Sequence, residues 1–235
     1  MTQSARVFAL TAGIVMVENA ITWRLSEAAS SLFNVGLLAL LLVVIRKEHL
    51  NAEEAGFGVR ATGVSAIAGG VLSLHVVTIV FLVALARPDA FQDVETPRDT
   101  AELIGTLARI LFVTALVEEI AFRGVLFALW RRVFPVRGAG WRRGLRWLAP
   151  SLISGVAFGL WHIGPTRDTL ADLGRDLTLG PFVAAVAVTT TVGVLVFGLL
   201  RQLTGGSTGG VLLHAVVNAS VVAAGYGITL GIIGR

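Results

Sequence analysis

The chain has 235 residues, of which 55% are hydrophobic and only 14% charged, and its mean hydropathy is +0.81. A water-soluble domain of this size carries more charge, so the bilayer is the expected solvent and one membrane-embedded domain over 1–235 the expected organisation. The absence of cysteine excludes disulfides and thiol nucleophiles, and the net charge of +4 is no nucleic-acid signal, because the basic residues lie in segments beside apolar runs.

Apolar runs and their polar punctuation predict an all-α polytopic bundle of about seven spans, at roughly 7–23, 30–45, 62–86, 102–130, 148–163, 181–200 and 209–233. The first span lacks a small-residue cleavage site and contains Glu18 and Asn19, so it reads as a retained helix rather than a signal peptide. If the N-terminus is cytoplasmic, the inside segments hold Arg6, Arg46, Lys47, Arg60, Arg131, Arg132, Arg137, Arg142, Arg143, Arg146 and Arg201. Only Arg24, Arg87, Arg98, Arg167, Arg175 and Arg235 then face outside, which favours N-in and C-out. Arginine far outnumbers lysine in an Ala/Val/Gly/Leu-rich chain, which points to a bacterial cell membrane. The segment from Arg131 to Arg146 is also placed to meet anionic lipid headgroups.

Within the fourth span, Glu118-Glu119-Ile120-Ala121-Phe122-Arg123 interrupts an otherwise apolar run. A charge at bilayer depth costs a few kcal/mol or more, so such groups face a bundle interior or a cavity. Glu119 and Arg123 stand i, i+4, where a carboxylate and a guanidinium meet across one turn. Glu118 sits about 100° round the helix from Glu119, free to point into a cavity as a base. Without a function, the same motif would be a structural salt bridge.

The fifth span ends in Phe158-Gly159-Leu160-Trp161-His162, with Phe158 and His162 on one face, and the seventh carries His214-Ala215-Val216-Val217-Asn218, again an i, i+4 pair. Each could equally be an interhelical hydrogen bond. Gly155 and Gly159 predict a close helix contact in the fifth span. The stretch Gly205-Gly206-Ser207-Thr208-Gly209-Gly210 lacks the lysine of a phosphate-binding loop and reads as a helix-entry loop.

Taken in order, Glu-Glu-x-x-x-Arg, Phe-x-x-x-His and His-x-x-x-Asn on three spans resemble the CPBP family, the CAAX proteases and bacteriocin-processing intramembrane proteases, over residues 100–220. The resemblance implies a catalytic core in that region and an endopeptidase acting on a membrane-associated protein or peptide. In it, Glu118 is the general base, His162 holds and polarises water, and His214 and Asn218 stabilise the oxyanion, with Glu119, Arg123 and Phe158 in support. Base and donors of this kind suit peptide hydrolysis. No cofactor is favoured; zinc held by Glu118, His162 and His214 is the alternative, although no His-Glu-x-x-His motif is present.

Glu18, Asn19, Asn34, His75, Glu102, Arg109 and Thr189 to Thr191 also fall in or near apolar spans. Most read as packing residues, with Glu102 and Arg109 able to share a face; a continuous path of such groups would instead favour a transporter, and an inert site a membrane scaffold. Straight spans also pose a problem of depth. They put His162 near the outer end of its helix and His214 near the cytoplasmic end of its own. The expected remedies are a fifth helix that enters more deeply through Trp147 and Leu148 or continues past Gly164, and a last helix that begins from a half-buried loop through the glycine-rich stretch.

Overall fold

In a computed structural model the described residues are 2–21, 27–91, 94, 96–137, 140–164, 166 and 179–233, and all the regular structure among them is helical. Seven principal helices follow the predicted spans: α1 (Gln3–Ile21), α2 (Glu27–Lys47), α3 (Val59–Ala86), α4 (100–133), α5 (Gly140–Trp161), α6 (179–204) and α7 (Thr208–Thr229). The segments Val59–Ala86, Phe182–Thr204 and Thr208–Thr229 are long and apolar enough to cross a bilayer by themselves. The chain is an integral membrane protein. In α4 the charges of Glu118, Glu119 and Arg123 dilute the apolar signal, and all three are buried.

Helix ends depart from the predicted edges for local reasons. Asp99 caps α4 by accepting from the Glu102 amide at 2.9 Å, while the Glu102 carboxylate accepts from the amide of Arg98, just before the cap, at 2.6 Å. Glu102 is therefore occupied at the helix start rather than paired along a face with Arg109. Helix α5 begins eight positions before the predicted 148, because exposed Arg143 and Arg146 continue the helix beyond the apolar stretch. The predicted seventh span runs past the end of α7, where Gly231 turns the chain with φ 66°.

Helix α1 is packed into the bundle: Val7 and Ile14 join the core that contains Leu41, Phe122, Phe158 and Trp161, and Trp130 donates to Thr11 at 3.1 Å. The outward face of α3 exposes Ile67, Leu74 and Leu82, as a lipid-facing helix does. Gly155 lies against Val194, where an added Cβ would come within 2.7 Å of the Val194 nitrogen. Gly159 meets Thr190 in the same way, at 2.9 Å from its Cα. This is the expected close approach, and its partner is α6.

The depth problem is resolved by the turn between α6 and α7. The segment between α2 and α3 folds inward, with Ala55 4% exposed. Ser207 donates from its amide to Gly56 at 2.8 Å and from its hydroxyl to Ala55 at 3.1 Å. Arg201, counted above only as an inside charge, is 3% exposed. It donates to the carbonyls of Arg123 at 2.9 Å, Glu54 at 2.6 Å and Gly205. The turn is thereby held at the level of Arg123, and α7 climbs from there. About seven residues at 1.5 Å each bring His214 alongside Glu118 and Glu119. The half-buried loop is present, and α5 also enters through Trp147 and Leu148 as expected.

Two stretches of α4, Ile110–Ala115 and Ile120–Leu126, and one of α6, Gly193–Gly198, are wound as wider π-turns. In the second, the Phe127 amide passes over the Arg123 carbonyl, its ordinary α partner, and bonds to Phe122 and Gly124. Arg201 takes up the carbonyl so released. Wide turns of this kind often mark functional sites.

Candidate active site

Helices α4, α5 and α7 bring the three predicted motifs together. The carboxylate Oε2 of Glu118 lies 3.7 Å from Nε2 of His162 and 3.9 Å from Nε2 of His214. Glu118 is 6% exposed and His214 also 6%, whereas His162 is only half-buried, so the cluster is reached from the His162 side.

Behind this trio stands a second layer. Glu119, fully buried, sits 3.2 Å from Nη1 of Arg123 and 3.3 Å from Nδ1 of His214. The i, i+4 meeting expected of Glu119 and Arg123 is present. Arg123 also donates to the Gly193 carbonyl at 3.2 Å, and its guanidinium carbon lies 4.1 Å from the Phe158 ring centroid and 4.8 Å from that of Phe197. Such stacking compensates a desolvated guanidinium better than it would an ammonium. Phe197 and Gly193 escaped the sequence analysis, because an apolar ring and a glycine on a spanning helix carry no signal until Arg123 is seen between them.

Hydrogen-bond chemistry fixes the histidine tautomers. Nδ1 of His162 is 2.8 Å from the Phe158 carbonyl, which can only accept, so Nδ1 carries the hydrogen. Nδ1 of His214 faces the Glu119 carboxylate and donates likewise. When the rings are neutral, both Nε2 atoms present lone pairs toward Glu118 Oε2, itself a buried oxygen with no hydrogen-bond partner. Three acceptors at separations beyond direct hydrogen bonding are the surroundings of a molecule with two protons to give.

The same lone pairs are the ones zinc would require. No group of three or more His, Asp or Glu among the described residues is placed to hold a metal ion.

Asn218 follows one turn after His214 on the same face, half-buried, and its side chain makes no hydrogen bond to a described residue. Asn19, read above as packing, does more. It donates to the Leu160 carbonyl at 2.7 Å and accepts from the Gly164 amide at 2.8 Å, bracketing His162 from helix α1. Among the described residues, several of the remaining intramembrane polar groups bond locally. Thr189 and Thr191 bond back to Ala185 and Ala187 on their own helix, and His75 to Val71. The Asn34 oxygen is buried without a partner. The Glu18 side chain and most of the segment 166–176 lie outside the described residues.

The family model described as type II CAAX prenyl endopeptidase Rce1-like matches residues 100–220, just over half of the chain. No curated protein and no solved structure matches.

Proposed function

Because the chain belongs to the Rce1-like type II CAAX prenyl endopeptidase family, and is thus a membrane protease with a membrane-associated protein or peptide as substrate, we propose that it hydrolyses the peptide bond by a water that Glu118 activates. The observation that carries this reading is the unpartnered Glu118 Oε2 between two Nε2 lone pairs. Residues 100–220 are its catalytic core.

In the proposed reaction the water gives one hydrogen bond to Glu118 and one to Nε2 of His162. Its oxygen attacks the scissile carbonyl carbon as Glu118 takes a proton. Negative charge gathers on the former carbonyl oxygen, where the Asn218 amide donates. His214 can also donate there when it enters the step doubly protonated, at Nε2 as well as Nδ1, with the Glu119 carboxylate as counter-charge. Glu118 then passes its proton to the leaving nitrogen, and the C–N bond breaks. Glu119, Arg123 and Phe158 hold the trio in place. Their burial costs stability, and breaking one partner of such a pair costs about 3–5 kcal/mol.

We favour a reaction without a metal, because a water between Glu118 and His162 already has its base and its acceptor. A second reading has the same convergent lone pairs, those of Glu118, His162 and His214, holding zinc, which would supply a Lewis acid and a more acidic water. Metal analysis of the purified protein together with cleavage in the presence of a chelator separates the two.

The arginine distribution supports a cytoplasmic basic end, and the arginine-rich composition supports a bacterial cell membrane. The test of function is cleavage of CAAX-type peptides, prenylated and not, and of membrane-anchored peptides by purified protein. Turnover is expected for the wild type, and loss for Glu118→Gln, His162→Ala and His214→Ala at equal folding. Cleavage by all three variants overturns the assignment, and substrate flux in liposomes that survives Glu118→Ala would favour a transporter.

A further inference from the structure

At the basic end of the bundle an open cavity of about 840 Å³ lies between the α2–α3 segment, the end of α4 and the α6–α7 turn. Its walls carry Arg60, Arg131, Arg132 and Arg201 against two carboxylates, Glu53 and Glu54. The glutamates do not balance the arginines in pairs. Glu54 is taken by Arg132, with contacts of 2.9 and 2.7 Å, and Glu53 makes no ion pair among the described residues.

Arg201 is the buried cation. Its three bonds go to carbonyls, which orient a guanidinium without cancelling its charge. Of its five N–H groups, two remain unused. Arg131, exposed and without an ion pair among the described residues, lines the same cavity, so the two positive charges repel. Arg60, in the first turn of α3, also lines the cavity, exposed and without an ion pair among the described residues. Like charges facing one cavity, one of them withdrawn from water, are unfavourable until an anion joins them.

We propose that this cavity binds a phosphate-class oxyanion, bridging Arg201, Arg131 and Arg60, and that its source is the headgroup of an anionic phospholipid. The arginine distribution places the cavity at the cytoplasmic surface, where such lipids concentrate. Arginine suits the ligand because its planar fork matches phosphate oxygens. The site stands apart from Glu118 and does not rest on the protease reading.

The test uses the full chain in nanodiscs of phosphatidylcholine containing roughly one-fifth phosphatidylglycerol, with native mass spectrometry to count retained lipids. Phosphatidylglycerol is expected to be retained over phosphatidylcholine by about tenfold, a preference of about 1.4 kcal/mol. The double variant Arg60→Gln, Arg131→Gln is expected to lose that preference and to remain folded, both side chains being exposed. Arg143→Gln with Arg146→Gln, outside the cavity, is expected to retain it. In a second arm, inorganic phosphate is titrated against thermal unfolding in neutral detergent. Phosphate stabilisation that needs Arg60 and Arg131, without lipid preference, supports the oxyanion site and assigns it to a soluble ligand, overturning the lipid source. No preference and no stabilisation in the wild type, or an unchanged response in the cavity variant, overturns the site.

Discussion

Gly210 offers a way to disturb the supporting layer of the active site without replacing a titrating group. A Cβ at this position would stand 2.5 Å from Oε2 of Glu119 and 3.3 Å from its carboxyl carbon. Ordinary carbon–oxygen contacts are about 3.3–3.6 Å, so Gly210→Ala demands a displacement of about 0.8 Å. Glu119 has little freedom to supply it, being fully buried and held at 3.2 Å by Arg123 and 3.3 Å by His214. Either α7 backs away, carrying His214 with it, or the carboxylate turns and leaves His214 Nδ1 without its acceptor. Overpacking of this kind costs about 1–3 kcal/mol, and a misplacement near 1 Å can cost about a hundredfold in turnover. Thermal unfolding and the initial rate of peptide cleavage in the same detergent give both numbers. Gly70→Ala is the control, since its Cβ would meet Leu212 at an ordinary 3.7 Å. Wild-type turnover by Gly210→Ala would refute the argument that Glu119 fixes His214.

Glu118→Gln is expected to keep the fold and lower cleavage by at least about a hundredfold, the scale of a lost general base; circular dichroism and rate measurements check both parts. Asn19→Leu removes the bonds that bracket His162, and a drop of about tenfold in kcat with little change in KM is expected, together with faster amide exchange around residue 164. Arg201→Leu leaves three inward-facing carbonyls without their donor and is expected to lower the unfolding temperature strongly, read by a thermal scan. Hydrogen bonding to Arg132 holds the Glu54 carboxyl below its ordinary value, so the stability it contributes is present above the ordinary glutamate range and is lost as pH falls through the lowered value. Glu54→Gln is expected to flatten that acid limb, which unfolding at a series of pH values from neutral to about 3 measures.

The chemistry-bearing residues were legible because charge and imidazole are rare in apolar helices. Glu119 with Arg123 followed from helical periodicity alone, as did the pairing of Phe158 with His162. Gly155 and Gly159 announced a contact but not that α6 would supply it. What stayed hidden depends on backbone groups. A carbonyl released by a π-turn has no sequence signature, so Arg201 counted only as a topology charge. The inward fold of the α2–α3 segment was hidden for the same reason: its side chains do not announce it, and the carbonyls of Glu54, Ala55 and Gly56 are what hold the α6–α7 turn.

The pairing of the wide turn in α4 with Arg201 has a consequence for how such a chain can change. Deleting one residue within Ile120–Leu126 would let the turn close as an ordinary helix, reclaim the Arg123 carbonyl and strip Arg201 of an acceptor. Losing Arg201 first would instead strand that carbonyl where water is scarce. Each single step passes through a damaged protein, and the double step rotates Glu118 relative to everything beyond it. The two features therefore act as a ratchet: once acquired together they can be abandoned only together, and the register of the active-site carboxylate is locked in with them.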